Sequence, residues 1–142
     1  MDLQEISDRI ELADVVTRYA HAIDLGEWDL LDTVFTADAA IDYTESGGIA
    51  SGYAEVKPWL AEMLPAFFPR RMHLIGQVEV VFDGSDAAAV TAYFDNPMPM
   101  HDGAGGETIV ELGGRYHHQM VRTPDGWRSR QLHEEVVWKR GL

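Results

Sequence analysis

Asp24, His73, Tyr43 and Tyr19 are side chains whose chemistry could move a proton. An isolated imidazole is a weak base, with a pKa of about 6.5. A carboxylate bound to one ring nitrogen fixes the tautomer and stabilises the imidazolium formed when the other nitrogen takes a proton. Such an Asp–His pair suits proton abstraction next to a carbonyl or another electron-withdrawing group. Positioned acid–base catalysis contributes about two to four orders of magnitude. A leaving group on the adjacent carbon, water or halide, then departs with the help of a donor. The phenols of Tyr43 and Tyr19 are candidate donors.

Each of these residues also has a plainer reading. Asp24 lies in Tyr19-Ala20-His21-Ala22-Ile23-Asp24-Leu25-Gly26-Glu27-Trp28-Asp29, which reads as a helix end, a break at Gly26 and a second helix start. There it can simply make a local turn bond. His73 opens a β-type run in which Met72, Leu74, Val78, Val80 and Phe82 form the apolar side. Strict alternation puts His73 with Ile75, Gln77, Glu79 and Val81, and does not say which side looks inward. Tyr19 and Tyr43 can equally be half-buried core aromatics.

The elements that must position these groups follow from periodicity. Asp2 and Glu5 predict a capping box. Leu3, Ile6, Ile10, Ala13, Val16, Ala20 and Ile23 predict one apolar stripe on a helix of about six turns. Gly26 is placed to end it. A short helix is expected over 28–35, a strand over 38–43 and a third helix over 51–67, with Ser51 as its cap. Pro58 is tolerated if that helix begins near Glu55. From Arg71 the period changes to two, giving strands over 71–82, 87–94, 108–122 and 127–138. The segment 96–106, rich in Pro, Met and Gly, is expected to be a loop. Three helices followed by a four-strand meander predict a single α+β domain over 1–142. A curved sheet, antiparallel or mixed, then packs on the helices and leaves a cone-shaped cavity.

Composition excludes several classes of function. The 142 residues carry 11 basic and 24 acidic side chains, a formal net charge of −13. That surface repels phosphate backbones and anionic lipid, so neither nucleic acid nor membrane is an expected partner. There is no cysteine, which removes disulfides, thiolate nucleophiles and Cys-ligated metals. The N-terminus lacks a secretory pattern and no window is apolar enough to span a bilayer, so a cytoplasmic location is expected.

An apolar substrate pocket has candidate lining in Trp28, Trp59, Met63, Phe94 and Met98, with His101 and His117 as polar contacts. His117 and His118 look like a metal pair, but neighbouring strand residues point to opposite faces and cannot chelate together. No metal site is expected. No serine sits in a nucleophile elbow, and Gly103-Ala104-Gly105-Gly106 precedes no helix, so it cradles no phosphate.

The order of elements, with Tyr19, Asp24, Gly26, Trp28, Asp29, Tyr43 and His73, resembles the SnoaL-like group of the nuclear-transport-factor-2-like superfamily. Within it, the chain is similar to the branch of scytalone dehydratase, bile-acid 7α-dehydratase and hexachlorocyclohexane dehydrochlorinase. The resemblance runs from about Ile6 to Trp138. It implies a catalytic pair at Asp24 and His73, pocket aromatics at Tyr19 and Tyr43, no cofactor, a small-molecule substrate and a homo-oligomer, trimer or dimer. The implied activity is a lyase: a dehydratase-like elimination on a small apolar cyclic, polyketide-like or steroid-like molecule. An isomerase or cyclase using Asp24 as the base, and a non-catalytic ligand-binding domain, are the alternatives. The chain departs from the branch at Ile23, where a second tyrosine is used elsewhere, and lacks a clean match for a late-strand arginine.

Overall fold

Asp2 starts the first helix as predicted: its carboxylate accepts the backbone N–H of Glu5 at 2.8 Å. The reciprocal half of the box is not made, because Glu5 pairs with Arg9 instead. In the computed structural model, which describes residues 1–141, helix α1 runs Leu3–Leu25. Its buried face is Asp8, Leu12, Val15, Val16, Tyr19, Ala20, Ala22 and Ile23. The N-terminal part of the expected stripe is therefore wrong. Leu3, Ile6 and Ile10 are 84%, 40% and 61% exposed, because the sheet covers α1 only from Leu12 onward, with Asp8 the one buried residue before it. Gly26 ends the helix at φ 67° and bonds back to Ala22 and Ile23, a conformation glycine adopts without penalty.

The expected second helix is a single 3-10 segment, Trp28–Thr33. Phe35 opens strand β1, Phe35–Asp42, rather than closing a helix. A 3-10 turn at Thr44–Ser46 leads to β2, Ala50–Gly52, a strand the periodicity did not reveal because it is three residues long. Helix α2 spans Tyr53–Phe67, with Gly52 rather than Ser51 at its N-cap. Pro58 consequently falls in the second turn, where its ring removes one intrahelical bond.

The remaining strands are β3 (Leu74–Phe82), β4 (Ala87–His101), β5 (Glu107–Thr123) and β6 (Gly126–Arg140). They form the expected antiparallel meander. The full sheet has six strands in the order β2-β1-β6-β5-β4-β3, with β1 running parallel to β6. The segment 96–101 is strand, not loop: it pairs with β5 from Asn96↔Leu112 to His101↔Glu107. Pro97 and Pro99 fit there because β3 begins only at Leu74, opposite Asp95. Beyond Asp95, β4 has a free edge, and proline is tolerated where no neighbour needs its N–H.

This is the α+β cone: helices on the concave face of a bent, mixed, unclosed sheet. The core gathers Leu12, Val16, Tyr19, Leu31, Phe35, Val90, Tyr116 and Trp127 between α1 and that face. Near Trp127, the Arg122 guanidinium makes two bonds to Asp8 (2.9 and 2.7 Å), and the indole N–H donates to the same carboxylate at 3.1 Å. That cluster ties the start of α1 to the β5–β6 turn. Among the described residues no helix is long and apolar enough to cross a membrane.

Candidate active site

Asp24 lies in the last turn of α1, and His73 lies just before β3. Arg71 brings the two together. Its Nε donates to the carbonyl of Ile23 at 2.7 Å and its Nη1 to that of Phe68 at 3.1 Å. Its guanidinium also lies over the Trp28 ring, 5.4 Å from the centroid. One side chain thus clamps the α2–β3 connection to the end of α1. Two residues on, the Asp24 carboxylate takes His73 at two points. Oδ2 accepts the backbone N–H at 2.8 Å, and Oδ1 pairs with the ring Nδ1 at 2.6 Å.

An ionised carboxylate only accepts, so Nδ1 carries a proton toward Asp24, and in the neutral ring Nε2 then keeps its lone pair. The strand expected from Arg71 starts at Leu74 instead. The His73 N–H is taken by Asp24, and the question of which sheet face His73 occupies does not arise. The His73 side chain is 8% exposed and that of Asp24 21%.

His73 lines a cavity of about 360 Å³ closed by α1, α2, the Thr44–Ser46 turn and the concave sheet. Its wall is mainly apolar: Ile23, Trp59, Leu60, Met63, Leu64, Phe68, Met98, Val110 and Leu112. Trp59 stacks on Tyr43 with ring centroids 6.2 Å apart. Gly48 lets them approach, since a Cβ there would sit 2.8 Å from both the Trp59 ring and Tyr43 Cβ. The polar groups of the wall are His73, Tyr19, Tyr43, Ser46, Asn96 and Glu134.

The SnoaL-like domain family matches residues 4–133 of this chain. The chain belongs to the SnoaL-like family. An uncharacterised protein of Mycobacterium tuberculosis is 39% identical over 128 residues, covering 90% of this chain and 84% of its own. A hexachlorocyclohexane dehydrochlorinase from Novosphingobium barchaimii superimposes with a TM-score of 0.86 at 14% identity, covering 100% of this chain and 94% of the other. A nuclear-transport-factor-2-like protein from Salmonella enterica gives 0.80 at 17%, covering 97% and 96%. Both structural likenesses concern the fold.

In this SnoaL-like domain, Tyr19 and Tyr43 both line the cavity, and they spend one proton on each other. Their hydroxyls are 2.6 Å apart. Burial pushes both phenols well above their ordinary range, so they can share a hydrogen bond but not release a proton. Trp59, Met63 and Met98 line the cavity; Trp28, Phe94, His101 and His117 do not.

Each of those four has a structural reason. Trp28 supports Arg71 from outside the cavity. Phe94 is core, stacked on Tyr116 at 4.3 Å. His101 is exposed at the end of β4, which runs on as strand past the predicted loop. His117 is on the convex face, bound to Glu135 at 2.9 Å. Its neighbour His118 points inward to Ser129 at 2.9 Å, and burial holds it down at about 3, so it is a neutral core ring.

Four groups of the site were missed: Arg71, Ser46, Asn96 and Glu134. Asn96 was hidden by the assignment of 96–106 to a loop. Glu134 did leave a signal. It sits between Leu132 and Val136 on the inward side of β6, an acid on the apolar face of a strand. The residue is 6% exposed, and its Oε1 has no hydrogen-bond partner among the described residues. Burial raises it to about 7, helped by Glu45 and Asp42 and opposed by Ser46 and His133.

Proposed function

We propose that this chain catalyses a cofactor-independent elimination, of the dehydratase kind, on a small, mostly apolar cyclic substrate of polyketide or steroid type. His73 is the base. Its Nε2 takes a proton from the carbon next to a substrate carbonyl, and Asp24 orients the ring and stabilises the imidazolium. The phenol pair Tyr43–Tyr19 donates to the carbonyl oxygen as negative charge develops there. The observation that carries this reading is the two-point grip of Asp24 on a His73 that lines a mainly apolar cavity.

The same geometry weighs against the isomerase or cyclase alternative with Asp24 as the direct base. Both Asp24 oxygens are engaged by His73, and Asp24 is not part of the cavity wall. The experiment is α-proton exchange of cyclohexanone and 2-tetralone in D2O, followed by proton NMR. The wild type accelerates exchange; His73→Ala and Asp24→Asn lower it by at least about 100-fold with the fold intact. Exchange by Asp24→Asn at the wild-type rate removes the dyad. Binding of 2-tetralone without exchange in any form leaves the non-catalytic binding domain.

A further inference from the structure

A cavity wall that buries polar atoms without partners is costly unless a ligand meets them. Two of them stand in this wall. Asn96 is 2% exposed and spends its amide N–H on the Tyr116 hydroxyl at 3.0 Å, leaving Oδ1 without a partner. Glu134 stands opposite Tyr116 across the β5–β6 pairing and leaves Oε1 without one. Both line the same cavity as His73.

We propose that Glu134 is the acid of this site, donating its proton to the departing hydroxyl oxygen, and that the substrate is a neutral β-hydroxy carbonyl compound with a further hydroxyl or N–H for Asn96 Oδ1. The proposal rests on the reading of His73 as the base and adds the leaving-group half of the reaction. His73 Nε2 takes the α-proton, and the C–H electron pair becomes the new C=C bond. The C–O bond to the β-carbon breaks, and that oxygen leaves as water with the proton of Glu134. Imidazolium and glutamate then return to their starting forms by exchanging one proton, through solvent, so the net change is substrate to enone plus water.

Roles divide by how readily each group parts with its proton. The Tyr19 and Tyr43 phenols are held too basic to release theirs and serve only as hydrogen-bond donors. Burial holds Glu134 near neutrality, where an acid both gives and recovers a proton readily. Of the groups around it, Glu45 from the 3-10 turn and Asp42 from β1 raise it further, Ser46 and His133 pull it down, and the phenols of Tyr19, Tyr43 and Tyr116 also face it. A carboxylate-bearing substrate would bury a negative charge against a mainly apolar wall and is disfavoured.

The test separates the two halves of the reaction. Wild type, Glu134→Gln and His73→Ala are given 3-hydroxycyclohexanone, with cyclohexenone formation read by absorbance, and cyclohexanone, with α-exchange in D2O read by NMR. Glu134→Gln is expected to lose about 100-fold or more in elimination, and its ratio of elimination to α-exchange should fall by at least about 30-fold. His73→Ala loses both. Elimination by Glu134→Gln at the wild-type rate overturns the proposal and leaves the base in place. Absence of exchange and elimination in the wild type removes the base reading, and this proposal with it. A second measurement needs no turnover: ¹³C NMR titration of glutamate-labelled protein. One carboxyl absent from Glu134→Gln is expected to titrate near neutrality; titration of Glu134 in the ordinary carboxylate range overturns the proposal.

Discussion

The Asp24 carboxylate binds the His73 ring with one oxygen, at 2.6 Å, and the His73 backbone with the other, at 2.8 Å. The second contact fixes where the ring starts and the first fixes how it turns. Asp24→Asn keeps the size but cannot accept at both points with full charge, and it no longer stabilises an imidazolium. Exchange of the 2-tetralone α-protons should fall about 100- to 10,000-fold. The melting temperature should move little, and the two measurements together separate a lost base from a lost fold.

Arg71 holds the connection that carries His73, through the carbonyls of Ile23 and Phe68. Arg71→Ala leaves both carbonyls without that donor and removes the contact with Trp28. It should cost about 1–3 kcal/mol in denaturant unfolding. It should also disorder the His73 tautomer. The ¹⁵N shifts of the ring, fixed as Nδ1–H in the wild type, should move toward a tautomer average, which a purely structural loss elsewhere in the fold would not produce.

Glu134 makes stability depend on pH in a defined direction. Its folded value, about 7, lies above the ordinary 4.5. Below 4.5 both states are protonated and there is no penalty. As pH rises from 4.5 to 7 the unfolded chain releases the proton and the folded chain does not, so stability falls, and above 7 the loss is constant. The full loss is of the order of 3 kcal/mol as an upper bound. Glu134→Gln should therefore unfold at a higher temperature than wild type at pH 8 and converge with it near pH 4. Equal melting curves at pH 8 contradict a buried acid.

Asp8 works with the opposite sign. The two bonds from Arg122, with the Trp127 indole, pull its carboxyl down to about 2 against the attraction of burial for the neutral form. The stability it contributes is complete above 3.8 and is lost as pH falls through about 2. Asp8→Asn breaks a largely buried pair and should cost about 2–3 kcal/mol at neutral pH. Thermal unfolding from pH 2 to 5 should show the acid limb of the wild type flattened in the variant.

Much of the fold was legible in single residues. Asp2 and Gly26 marked the ends of α1, and the change of period after Arg71 announced the meander. The misreadings share one cause: pattern does not report what a segment packs against. Ile6 and Ile10 continue the apolar spacing of α1 where the sheet does not cover them. Pro97 and Pro99 read as loop because pattern does not show that β4 has a free edge there. Trp28 and Phe94 have the type of a pocket residue, yet one braces Arg71 and the other lies in the core beneath Tyr116.

The sequence by itself determined the classes of chemistry on offer, the absence of thiol chemistry, the acidic surface, and a helix break that places an acid at its edge. Those are local properties: residue type, charge and backbone preference over a turn or two. Tertiary structure alone decided that Asp24 would meet His73, that the phenols of Tyr19 and Tyr43 would pair, and that Glu134 would be walled off from water. Hydrogen bonds and desolvation act over a few ångströms, and only folding brings residues far apart in the chain within that range.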